Sequence, residues 1–201
     1  MNSRNITLGQ FATAFIPFGL LLVIALMGAE MALDLPFQRM IYTIWVALVL
    51  VIPALCLYIL PTRTQGRANY WLLFWTFAYV AYLFHFYYAV MVHYHASIPE
   101  VFQQQGIKIA GSNFVVTFLW GMDVLLAWFV RSDRKWIRTE RLLASMFIPL
   151  VFFVASVVIF RGFVNVLGYA MTAAILICLI VRIRTCLTEQ HAPSGLEVGG
   201  G

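Results

Sequence analysis

The chain has 201 residues, of which 63% are hydrophobic and only 10% charged, with a mean hydropathy of +0.89. Soluble domains average about 45–50% apolar and about 25% charged residues, so the composition excludes an ordinary soluble domain and describes an integral membrane protein. A net charge of +5 would suggest a nucleic-acid partner in a soluble chain. Here the basic residues fall between apolar runs, where they act as orientation signals, and no nucleic acid is expected.

In chain order, the first apolar segment runs from about Phe11 to Leu33, with Arg4 ahead of it. A basic start followed by an apolar run also describes a secretory leader. This run is longer than the usual leader core and no small-x-small cleavage motif follows, so it reads as a retained span. The second segment, about Phe37 to Leu60, follows a short turn with Glu30, Asp34 and Pro36, and Pro61 ends it. After the basic loop PTRTQGRAN comes the third, Asn69 to His95 (NYWLLFWTFAYVAYLFHFYYAVMVHYH), dense in aromatic residues. Its alanines Ala78, Ala81 and Ala89 share a face with His85 at helical spacing. Small residues let helix backbones approach, so this face is expected to meet protein and the aromatic flanks to meet lipid or a ligand.

The longest connection, Ala96 to Asn113, is punctuated by Pro99, Gly106 and Gly111. Its Val101, Phe102, Ile107 and Ile109 suggest a segment lying on the membrane surface or folding back over the bundle. The fourth segment covers about Phe114 to Val130, and RSDRKWIRTER follows, with Trp136 suited to the headgroup layer. Segment five is about Leu142 to Phe160. Arg161 and Gly162 mark a tight reversal into segment six, about Phe163 to Ile183. The expectation is an all-α bundle of six transmembrane helices forming one domain over residues 1–187. Residues 188–201 form a polar, flexible tail of the kind added for expression.

Six spans put both termini on one side. Arg4, Arg63, Arg67, Arg131, Arg134, Lys135, Arg138, Arg141, Arg182 and Arg184 fall on that side, against Arg39, Lys108 and Arg161 on the other. Both termini are therefore expected in the cytoplasm, in a plasma or inner membrane. No internal repeat supports an inverted-repeat transporter. Cys56, Cys178 and Cys186 form no CxxC pair and read as small apolar fillers, with Cys186 placed for acylation.

Ionisable groups at membrane depth carry the functional argument. Asp123 lies eight residues from Arg131, about 12 Å inside the cytoplasmic boundary. A carboxylate there costs about 2.5–3.5 kcal/mol even on mild insertion scales, so it must face the bundle or a wet cavity, or be protonated through desolvation. Pro17, Pro53 and Pro149 lie near the same level and free the carbonyls of Thr13, Val49 and Ser145. With Thr76 and Thr172 these suggest an internal polar ring able to hold water, a proton or a cation; the simpler alternative is a structural hydrogen bond between helices. His85 lies about 12 Å above Asp123, closer in height to Glu30, with Tyr79 and Tyr82 on the same segment.

His93, His95 and Glu100, at the outer surface, offer imidazole and carboxylate to a transition metal. His93 and His95 share a metal only on a frayed helix, so an interfacial aromatic belt is the simpler reading. A haem or pigment on His85 alone is a further alternative; the sequence itself names no cofactor. No GxSxG, HExxH, Walker A or GxGxxG pattern occurs. The leading expectation is a non-catalytic membrane protein, either a subunit of a larger assembly or a binder of a small apolar ligand. A proton- or cation-coupled transporter or channel using Asp123 comes next. A redox or metal-dependent enzyme using His85 and the outer histidines comes third. The site residues expected on these readings are Asp123, His85, Tyr79, Tyr82 and Thr76.

Overall fold

The computed structural model describes residues 5–31, 33–61, 64–130, 134–159 and 161–191, and the side chains of these up to 188. Arg4, Arg63, Arg131 and the tail from 192 onward, all used in the sequence argument, lie outside the described residues. Six helices long and apolar enough to cross a membrane follow one another, with no strand among the described residues.

The first four helices start where the sequence supplies a side-chain cap. Helix α1, Leu8–Ala29, opens on a reciprocal pair: Thr7 Oγ1 accepts from the Gln10 N–H (3.2 Å) while Gln10 Oε1 accepts from the Thr7 N–H (3.1 Å). Two otherwise orphaned donors are thereby satisfied. Helix α2, Leu35–Ile59, is capped by Asp34, with Pro36 in its first turn where no N–H is needed. Helix α3, Gln65–Tyr87, is capped by Thr64 and continues into a π turn, Tyr88–His93. Helix α4, Ile98–Phe129, is capped by Ser97. Helix α5, Lys135–Phe153, runs into a second π turn, Val154–Ile159, and α6 covers Phe163–His191.

Helix α2 occupies the centre, touching α1, α3, α6 and the π turn that follows α3. Val46, Ala47, Leu50, Val51 and Ala54 of α2 and Ala78 and Ala81 of α3 are buried in one apolar cluster. The alanine face of the third segment thus meets protein. The aromatic flanks are not all turned outward, because Trp75 and Tyr82 are also buried in that cluster. Both rings are large enough to fill the gap between α3 and the helices beyond it.

The connection from 96 to 113 is helical rather than a loop. Gly106, with φ +76, breaks α4 into a short first part and the spanning part. Left-handed backbone at His95 and Ala96 turns the chain back sharply after the π turn. Val101 then packs with Val90, Tyr94 and Ala110, and Phe102 stacks on Phe114 at 5.8 Å. The short part therefore folds over one end of the bundle.

The turn between α5 and α6 is made by Gly162, whose φ of +83 suits glycine. A π turn leaves carbonyls misaligned with the helical ladder, and lipid offers them no donor. Asn165 Nδ2 supplies it, donating to the carbonyls of Ser156 (3.0 Å) and Val157 (3.2 Å). Gly168 is buried against the same turn; a Cβ there would come within 2.8 Å of Ser156 Cβ and 2.9 Å of Val157 Cγ2. Farther along α6, the Cys178 thiol reaches that of Cys56 on α2. Asn165→Leu should lower unfolding stability in mixed micelles by about 1 kcal/mol, in line with intramembrane polar contacts. Gly168→Val should cost more, since it separates the helices; equal or negligible losses would show that this junction does not hold α6.

Candidate functional site

Helix α3 and helix α4 run antiparallel and are pinned by side-chain hydrogen bonds along most of their shared length. Trp128 Nε1 donates to Thr76 Oγ1 (3.0 Å), and Trp75 Nε1 donates to Asp123 Oδ2 (2.8 Å). Farther along, the Tyr79 hydroxyl donates to the Thr117 carbonyl (3.1 Å) and the Tyr82 hydroxyl to the Asn113 carbonyl (3.0 Å). Between helices in hydrocarbon such bonds act as glue, since hydrophobic burial gives little drive there.

Asp123 is the strongest rung. It is 0% exposed, and its second oxygen, Oδ1, accepts from Arg141 Nε of α5 at 3.1 Å. The guanidinium in turn lies over the Trp71 ring, 5.1 Å from its centroid. One carboxylate thus joins α3, α4 and α5, with both oxygens engaged and its charge opposed. Beside it the rings of Trp75, Trp120, Tyr82 and Phe152 pack at 4.9–6.0 Å and exclude water from the same three helices.

Glu140 was not among the residues that the sequence singled out. It is 7% exposed, and its carboxyl stands within reach of Asp123, with Arg141 as the neighbouring positive charge. Among the described residues neither of its oxygens meets a donor. The signal was available: Ile137, Glu140, Ala144, Ile148 and Phe152 form the buried stripe of α5 at three- and four-residue spacing. Reading 131–141 as a basic loop hid it, because α5 begins at Lys135 rather than near Leu142.

His85 is removed from this cluster. Its Nδ1–H donates to the Met40 carbonyl of α2 (2.9 Å), and its ring lies 5.8 Å from that of Tyr82. Glu30 pairs with Arg39, whose guanidinium also lies over the Tyr88 ring. Of the hydroxyls expected in a polar ring, Thr172 donates to the Gly168 carbonyl of its own helix and Thr76 to that of Leu72 while also accepting from Trp128; the Thr13 and Ser145 hydroxyls likewise donate to the Gly9 and Arg141 carbonyls. Thr13 faces outward. This back-bonding is the cheapest way to satisfy a hydroxyl where no water is available.

Nor do the outer histidines converge. The His93 ring packs against Phe37 and Tyr94, while Glu100 accepts from Gln104 Nε2 at 2.9 Å. His95 sits in the left-handed turn, which directs it away from the helical register of His93. Among the described residues no three His, Cys, Asp or Glu side chains gather as metal ligands.

The other feature of this helix pair is a groove of about 820 Å³. Tyr79 and Phe86 of α3 line it together with α4 residues from Phe114 to Val130, among them Thr117, Phe118, Met122 and Leu125. Gly121 shapes its floor, since a Cβ there would lie 3.0 Å from Tyr79 Cζ and press on the hydroxyl. Compared with family models, curated proteins and solved structures, the chain matches none.

Asp123→Leu strands the Arg141 guanidinium and should cost about 3–5 kcal/mol of unfolding free energy in micelles. Asp123→Leu combined with Arg141→Met should recover most of that loss. Failure of the double variant to recover would remove charge compensation as the role of the pair.

Proposed function

We propose that this is a non-catalytic multi-pass protein of a plasma or inner membrane, with both termini in the cytoplasm, that holds an elongated apolar molecule along α3 and α4. The single observation that carries the reading is the α3–α4 groove and its one polar point. Its volume falls within the range of about 300–1,000 Å³ usual for small-molecule sites. From Phe114 to Val130 it follows sixteen residues of helix, about 24 Å, most of the hydrocarbon thickness.

Its lining is aromatic and aliphatic, apart from Tyr79 and Thr117. The Tyr79 hydroxyl uses its proton on the Thr117 carbonyl and keeps a lone pair to accept a ligand hydroxyl. That point falls well inside the span, about 21 Å along α3 from Gln65. A phospholipid keeps its polar atoms at the interface, so the groove suits an isoprenoid or sterol-like alcohol better than a bulk lipid. The positive-inside distribution of arginine and lysine supports the orientation. Asp123, engaged on both oxygens, serves as a strut behind the groove.

Leu125→Trp fills the groove from an exposed position and should leave folding unchanged. Mass spectrometry of lipids extracted from the purified protein should find an isoprenoid or sterol-like alcohol enriched with wild type and lost at least tenfold in Leu125→Trp. Identical lipid profiles for both proteins, matching the bulk membrane, would reject the reading.

A further inference from the structure

The site next to Asp123 is left with an unbalanced charge. Two carboxyl groups, Asp123 and Glu140, share one guanidinium, Arg141. Arg141 Nε is spent on Asp123 Oδ1, and Trp75 Nε1 on Oδ2. Among the described residues nothing donates to either Glu140 oxygen, although the residue is 93% buried. An ionised carboxylate in that position has lost its hydration and gained no donor, a state that costs several kcal/mol.

A proton resolves both defects together. The neutral acid removes the excess charge and acquires an O–H, which has an acceptor at hand in Asp123. We propose that Glu140 and Asp123 form an exchangeable proton-binding site, in which protonated Glu140 donates its hydrogen bond to the Asp123 carboxylate. The step is a simple uptake: one proton adds to the Glu140 carboxylate, the Asp123–Arg141 pair stays ionised, and no other bond is broken. This site is separate from the groove, and neither reading depends on the other.

The surroundings fit a proton that comes from the side of Lys135. Glu140 lies one helical turn past Trp136, about 6 Å along the axis, and Trp136, Arg138 and Thr139 are exposed. The charged groups acting on Glu140 are Asp123 from α4 and Arg141 from its own helix. Helix α3 presents the indoles of Trp71 and Trp75 to this cluster, and Arg182 of α6 is turned to the Ile59 carbonyl of α2. Because Trp75 bonds the carboxylate that would accept the Glu140 hydrogen bond, uptake changes the field at the α3–α4 contact. Protonation thereby acts on the helix pair itself.

Infrared difference spectroscopy on the full chain in phosphatidylcholine–phosphatidylglycerol vesicles, stepped in pH in sodium-free buffer, tests the proposal. Wild type should show the C=O stretch of one protonated carboxylic acid per chain, gained on acidification and shifted by deuterium exchange. E140Q should lose that band, and E140L, which removes the orphaned oxygens altogether, should lose it while staying folded. A band that persists in either folded variant would overturn the proposal. So would the absence of any such band in wild type at every pH where the protein is folded. A band abolished by added sodium at constant pH would overturn it too, by identifying a metal cation as the occupant.

Discussion

The bundle depends on the fact that hydrocarbon offers a carboxylate nothing. Asp123 lies where any partner must come from protein, and two neighbouring helices each supply one. The cost of dehydrating the charge is met only because Trp75 and Arg141 arrive together, one on each oxygen. Their arrival fixes α3 and α5 against α4 in both rotation and height. A slide of either helix by one residue would leave an ionised group without its donor. Trp71 covers a face of the guanidinium, so the interaction extends to a second indole on α3.

Elsewhere the same demand for internal satisfaction recurs in weaker form. Tyr79 and Tyr82 cross to carbonyls of α4, His85 crosses to a carbonyl of α2, and Asn165 serves the carbonyls of the second π turn. Alanine faces on α2 and α3 allow close approach in the centre, whereas Gly121 and Gly168 allow a hydroxyl-bearing side chain to lie flat against a helix. The groove is a by-product of this arrangement. Tyr79 is held down on Thr117 over Gly121, and the space beside it is lined by Phe86, Phe114 and Phe118.

The six apolar segments were legible in the sequence because length and hydropathy alone decide them, and the alanine face of α3 because small residues at helical spacing have one common use. The glycine reversal at Gly162 was legible for its local chemistry. Glu140 was not, since a carboxylate amid arginines reads as a solvated loop until the helix is known to begin at Lys135. The segment from Ile98 to Gln105 was hidden by Pro99 and Gly106, which suggest a loop but act here as a helix start and a hinge. The polar ring rests on depth alone. Depth estimates place Thr76 and Thr172 near the level of Asp123, yet they do not say that these hydroxyls also donate to carbonyls of their own helices.

The most direct test is a double-mutant cycle between Trp75→Phe and Asp123→Leu, read as unfolding free energies in micelles. With the carboxylate enclosed among α3, α4 and α5, both single changes destabilise and the pair couples by about 1 kcal/mol or more. Strictly additive losses, or an Asp123→Leu protein more stable than wild type, would mean that the carboxylate faces the acyl chains and ties nothing together.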